Sequence, residues 1–203
     1  MIGNRIAVIE QRVPSAQITT KSTVMIDEEE LLRQSSGLYM EPLHLTLLVS
    51  IIFCSLVAGL LFGFAIVVMP GIANLSDKEY LLAFKHMDGV IQNNQPLFVL
   101  VWAGSILSVI LTLVLGILNL DDEKLYLLIG AASVYLIGVQ LPTFRFNIPL
   151  NNELQNLDIE DLEETEAKSS RTKFETSWNR WNRIRTINGI VAVSMFLLLL
   201  YFL

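Results

Sequence analysis

The feature that most restricts this chain is where its charges are missing. No Asp, Glu, Lys or Arg occurs between Glu41 and Asp77, between Asp88 and Asp121, between Lys124 and Arg145, or after Arg185. A helix needs roughly 20 apolar residues to cross the hydrocarbon core of a bilayer, and each interval can supply a span. Four spans are expected, at about 43–69, 96–118, 125–141 and 186–203, in an all-α four-transmembrane-helix bundle. The composition agrees, since 53% of the residues are hydrophobic, more than an ordinary soluble domain carries.

Residues 1–41 read as a polar, partly disordered tail, with a helix start at Asp27, and residues 42–203 as the membrane domain. Pro42 opens the first span and Pro70 is expected to end it. Within it Ser55, Gly59 and Gly63 recur every four residues, a ridge suited to close helix approach. From Asp77 to Asn93 the chain predicts a short amphipathic helix lying along the interface. Its apolar stripe is Tyr80, Leu81, Phe84, Met87 and Ile91, with Lys78, Lys85 and Asp88 elsewhere. The polar run Asn119–Lys124 is a tight turn between antiparallel spans. Beyond the third span, Pro142, Arg145, Asn147, Pro149, Asn151 and Asn152 argue against a regular lipid-facing helix. Non-helical backbone at the mouth of a cavity is expected there. The acids from Glu153 to Glu166 belong in solvent, where Asp158 can cap the helix that follows.

Lysine and arginine set orientation in the membrane. They are concentrated in loops 70–95 and 142–184, which are therefore predicted cytoplasmic, with both termini outside.

The last helix carries the most pointed pattern. Phe174, Trp178, Trp181, Asn182, Arg185 and Asn188 follow at intervals of three, one and four that keep them near one face. The chain then continues without charge to Leu203. An aromatic, amide and guanidinium stripe running into lipid belongs inside a bundle. Arg185, Asn182, Asn147, Asn151 and Gln140, walled by Trp178 and Trp181, would form a site for a planar, oxygen-rich molecule such as a phenol, a quinol or its enolate. Arg185 could hold a developing oxyanion, and His86 is the candidate general base by its ordinary pKa.

Several classes are disfavoured. The sequence has a pI near 4.9 and no basic cluster interleaved with aromatics, so no nucleic-acid partner is expected. Only two histidines, His44 and His86, are present, without HxxxH or intramembrane carboxylate clusters, so no metal site is expected. There is no P-loop, no GxGxxG and no Ser-His-Asp order, and no cofactor is expected. An ion-coupled transporter would keep carboxylates within its spans and tend to show inverted repeats. Cys54 reads as a small buried hydrophobe. The expected partners are the lipid bilayer and a small planar molecule.

Four pieces carry a family resemblance: Gly63 with Met69-Pro70; Met87 through Asn94 with Pro96 and Phe98; Asn147-x-Pro149-Leu150-Asn151 with Leu154; and Phe174-x3-Trp178-x2-Trp181-Asn182-x2-Arg185-Thr186. In this order, over roughly residues 45–203, the chain resembles the anthrone oxygenase-like family of small four-span membrane proteins. The resemblance implies a cofactor-independent oxygenase that converts a polycyclic anthrone to its quinone with dioxygen. Its matching site positions would be Asn147, Asn151, Trp181, Asn182 and Arg185. Two other readings stay open on the residues alone. One is a non-catalytic protein binding a lipid or quinone. The other is a structural or interaction subunit, in which Trp178 and Trp181 form an interfacial belt while Arg183 and Arg185 snorkel to phosphates.

Overall fold

Proline placement explains how the long helices are built. The computed structural model describes residues 41–203, so the tail, including the helix start at Asp27, lies outside the described residues except for Glu41. The described chain folds into α1 (Pro42–Ile72), α2 (Asp77–Gln92), α3 (Pro96–Asn119), α4 (Asp122–Gln155) and α5 (Glu164–Phe202). Helices α1, α3, α4 and α5 are each long and apolar enough to cross a membrane.

Pro70 does not end α1, and Pro142 and Pro149 do not break α4. A proline inside a helix lacks its N–H, and its ring collides with the carbonyl four residues back. Here each is preceded by a widened π turn: Phe64–Val68, Leu136–Gln140 and Thr143–Asn147. The N–H of Met69 reaches the carbonyl of Phe64, that of Leu141 reaches Leu136, and that of Ile148 reaches Thr143. Every such turn closes two residues before its proline. The extra residue moves the obstructing carbonyl aside, and α4 runs helically through the segment expected to be irregular.

The connections are fixed by local caps. The Ser76 N–H donates to Glu79 Oε2 at 3.0 Å at the start of α2. Gln95 Oε1 accepts from the Phe98 N–H before α3, and Asp121 Oδ1 accepts from Lys124 N–H at 3.0 Å before α4. Helix α5 is capped at Glu163, whose N–H donates to Glu166 Oε2, rather than at Asp158. Asn94, with φ 58°, makes the left-handed turn between α2 and α3, a conformation that asparagine tolerates better than most residues.

In the bundle, α1 packs against α3 and α5, and α4 against α5 and α3. One core, built on Leu47, Val109, Leu128, Tyr135, Ala192 and Phe196, joins the four long apolar helices. Around it Ile52, Leu107, Leu118, Ile137 and Ile187 are exposed, an apolar perimeter suited to lipid. The expected close-approach ridge is not the one used. Ser55 and Gly59 are exposed, and a side chain added at Gly59 or Gly63 would meet open space. Close approach occurs one residue away, where a β-carbon at Gly189 would stand 3.1 Å from that of Ala58. It occurs again at Gly138, where a β-carbon would stand 2.6 Å from Asn188 Cγ.

A second core caps the bundle end. Tyr80, Leu81 and Phe84 of α2 are buried with Met69, Leu154, Ile159, Phe174 and Trp178. Tyr80, Leu81 and Phe84 of the expected stripe are therefore spent on protein, while Met87 and Ile91 are half-buried. Arg171 holds the α1–α2 turn in place, donating to the carbonyls of Ala73 (2.7 Å) and Leu75 (2.9 Å) and pairing with Asp77 at 3.1 Å. Beneath its guanidinium lies the Tyr80 ring, 4.4 Å away, and burial pushes the Tyr80 phenol well above its ordinary pKa.

Candidate functional site

Along α5 the buried face is Phe174, Trp178, Asn182, Arg185, Gly189, Ala192, Phe196 and Leu199. These steps of three and four keep a single stripe facing the bundle from end to end. Arg185 is only 5% exposed. Its NH1 donates to Thr143 Oγ1 at 3.1 Å, and its NH2 donates to Asn182 Oδ1 at 3.1 Å. The Thr143 hydroxyl in turn donates to the Val139 carbonyl at 2.8 Å. Asn182 Nδ2 donates to the carbonyl of Leu61 at 3.0 Å, in the turn leading into the widened segment of α1. The Arg185 guanidinium carbon lies 5.7 Å from the centre of the Trp178 ring, within cation–π range.

Trp178 extends the seam outward. Its Nε1–H donates to Asn151 Oδ1 at 2.9 Å, and Asn151 Nδ2 donates to Asp88 Oδ1 at 2.7 Å. Asp88, 3% exposed, also receives Gln155 Nε2 at 2.8 Å and Gln92 Nε2 at 3.3 Å on its other oxygen. Among the described residues no cation pairs with Asp88 and no carboxylate pairs with Arg185.

Two groups in this neighbourhood are left open. Asn147 is 2% exposed, yet neither its Nδ2 nor its Oδ1 has a hydrogen-bond partner. The Nε of Arg185 is likewise buried and unpartnered. Asn147 lies four residues from Thr143 and from Asn151 on α4, and each of those is bonded to α5.

Hydrogen bonds and ring contact thus link Arg185, Asn182, Trp178 and Asn151, with Asn147 between the two α4 anchors. The remaining expected residues stand elsewhere. Trp181 is partly buried, one position off the α5 stripe, and stacks on Phe146 with ring centres 3.6 Å apart. Gln140 belongs to a separate chain: Trp102 Nε1–H donates to Gln140 Oε1 (3.0 Å), Gln140 Nε2 to Tyr135 OH (2.9 Å), Tyr135 OH to Ser105 Oγ (2.6 Å), and Ser105 to the Trp102 carbonyl (2.6 Å). His86 is exposed. Helix α2 does fold over this end, but successive residues on a helix turn by about 100°. With Asp88 inward, His86 two positions earlier points away.

Sequence reasoning missed Asp88, Thr143 and Gln155. Asp88 was legible, because it lies four residues after Phe84 in register with the buried stripe. Thr143 precedes Asn147 by four, but a threonine at that spacing is too common to stand out.

Among the described residues no three His, Cys, Asp or Glu side chains gather as a metal-ligand group. Two surface clefts lie nearby. One, about 140 Å³, is lined by Leu150, Glu153, Lys173 and Phe174 among others. The other follows Thr176, Asn179, Arg180 and Arg183 along the outer face of α5. Neither is lined by Asn147, Asn151, Trp178, Asn182 or Arg185.

Four apolar helices with a guanidinium-and-amide seam at one end of the bundle define a small polytopic membrane-protein architecture. The sequence matches the anthrone oxygenase family over residues 84–195, and the chain belongs to that family. The matched stretch runs from α2 into α5, so it contains the whole seam except the Leu61 carbonyl, while Gly63 and Met69-Pro70 fall outside it. No curated protein and no solved structure matches the chain.

Proposed function

We propose that the seam binds a planar, oxygen-rich molecule and that the protein oxidises an anthrone-like substrate with dioxygen. The observation carrying this reading is the buried Arg185, which has no carboxylate partner among the described residues and an open Nε, while the buried amide of Asn147, one helical turn from the Thr143 that Arg185 holds, is open as well. Each buried polar group without a partner costs about 1–3 kcal/mol, and a buried unpaired cation costs more. An enolate or phenolate oxygen would accept from the Arg185 Nε–H and the Asn147 Nδ2–H.

The chemistry asks little else of the protein. Loss of a proton from the activated methylene gives an enolate, whose oxygen Arg185 and Asn147 would hold. One electron passes from the enolate to dioxygen, the substrate radical and superoxide combine as a peroxide anion, this takes a proton from water to become the hydroperoxide, and loss of water leaves the new carbonyl. One oxygen atom ends in the quinone and one in water, so the substrate is the reductant. Trp178 supplies a flat wall, Trp181 stacks on Phe146 one position off the stripe, and Gln140 ties the bundle together through its own chain of bonds. His86 faces away from the seam on the exposed side of α2, so the released proton passes to water without it. The distribution of lysine and arginine favours a cytoplasmic location for this end.

Protein purified in mild detergent and given anthrone should consume one dioxygen per quinone formed. Arg185→Ala, checked for an unchanged folded fraction, should lower that rate at least tenfold. Uptake no faster than in the Arg185→Ala and Trp181→Ala controls would reject the oxygenase reading. A copurifying lipid or quinone without uptake would make this a binding protein instead.

A further inference from the structure

We infer that Asp88 is a positioning residue: through the side-chain amide of Asn151 it fixes how Trp178 stands beneath Arg185. The functional consequence rests on the reading of the seam as a site, but the positioning itself does not.

The inference comes from donor and acceptor types. An ionised carboxylate only accepts, an indole N–H only donates, and an asparagine amide has one end of each kind. Asn151 sits between the two, with Nδ2 2.7 Å from Asp88 Oδ1 and Oδ1 2.9 Å from Trp178 Nε1. Only one of the two amide orientations satisfies both neighbours. With Asn151 locked, the edge of the indole is tied down, and the ring is wedged between Phe64 (5.6 Å) and Phe84 (5.1 Å). Its face is then presented to the Arg185 guanidinium.

A carboxylate is a costly way to make a hydrogen bond in a buried place. Asparagine at position 88 could also bond to Asn151, but it could offer either end and would leave the amide free to reverse. What the acid adds is a single orientation. The surroundings suit that role. Gln155 and Gln92 donate to the other oxygen, and Gln155 is itself anchored on the Lys85 carbonyl at 2.9 Å. Lys85, the nearest cation along α2, is turned to the Leu157 carbonyl at 2.7 Å, so both Asp88 oxygens stay directed at amides. Trp178 N–H is fully committed, and a guest would meet the ring face and the guanidinium but not the indole donor.

The test uses full-length protein with 15N-labelled indoles in detergent micelles, where the three tryptophans give three side-chain signals and Trp178→Phe identifies one. Asp88→Asn should move the Trp178 Nε1–H signal toward a weaker hydrogen bond and leave those of Trp102 and Trp181 in place. Asp88→Glu, which stays an acceptor only, should restore it at least partly. A folded Asp88→Asn protein with an unmoved Trp178 signal overturns the inference. If the neutral variant does not fold, wild-type protein decides: the Trp178 indole nitrogen should show a hydrogen-bond scalar coupling to the Asn151 side-chain carbonyl carbon, and an indole N–H that lacks it and exchanges freely with solvent refutes the lock.

With anthrone as the probe, Asp88→Asn should weaken binding several-fold in the wild-type background and add nothing in the Trp178→Phe background. A merely structural acid would weaken both. If wild-type protein binds no anthrone, the proposed function fails while the indole signal still decides the role of Asp88.

Discussion

Two buried polar clusters meet on α4, at the ends of its two widened turns, and they treat their hydrogen bonds in opposite ways. At Gln140 the chain Trp102–Gln140–Tyr135–Ser105 closes on a backbone carbonyl, with each named polar side chain bonded to the next. At Asn147, seven residues on, a fully buried amide bonds to nothing, and on α5 Arg185 keeps an open N–H. A saturated network in low dielectric ties helices together. An unsaturated one is a standing penalty that folding alone does not explain. We propose that the first cluster serves architecture and the second a guest.

Substitutions at paired positions can break this contrast. The largest effect is expected at Gln140→Leu, which leaves the Trp102 N–H without its acceptor and removes a bond to the Tyr135 hydroxyl. Stability should fall by about 1–3 kcal/mol, read as a lower unfolding midpoint in detergent, with anthrone affinity unchanged in the folded fraction. Asn147→Leu should do the opposite. Removing an unpaired buried amide should leave the midpoint level or raise it by up to about 1 kcal/mol, while anthrone binding weakens several-fold. Equal destabilisation by both substitutions would erase the distinction between the clusters.

The smallest effect concerns the helix that covers the seam. The Glu79 carboxyl, bonded to the Ser76 hydroxyl and N–H, is held below its ordinary pKa. A folded-state pKa lower than the unfolded one adds stability above the unfolded pKa, and that contribution fades as pH falls through the folded one. Glu79→Gln should therefore exchange faster than wild type in the first turn of α2 at neutral pH. The difference should shrink below pH 4, as measured by amide hydrogen exchange.

The sequence showed this seam unevenly, for reasons that lie in particular residues. Arg185, Asn182 and Trp178 were legible because a regular helix obeys a fixed period, and α5 is regular throughout its buried stripe. Gln140 and Asn147, seven apart, would share a face on a plain α-helix. The π turn Thr143–Asn147 inserts a residue between them, shifting the phase by about 100°, and they part company. His86 and Asp88 were separable by register, because Asp88 follows Phe84 by four on the buried stripe and His86, two positions earlier, falls about 200° away. The prolines were misread because proline forbids a four-residue hydrogen bond at its own position, and the sequence does not show that a wider turn has relieved the clash.

The distribution of charge along the chain, by itself, determined four spans, an all-helical bundle and a polar stripe on the last helix. Those properties follow from transfer free energies and helical period, which are local and additive along the chain. Tertiary structure alone decided which polar groups meet: Asp88 with Asn151, Asn151 with Trp178, Arg185 with Thr143, and Asn147 with no partner. Such pairings depend on how each helix is rotated against its neighbours, and three widened turns reset that rotation partway along α1 and α4.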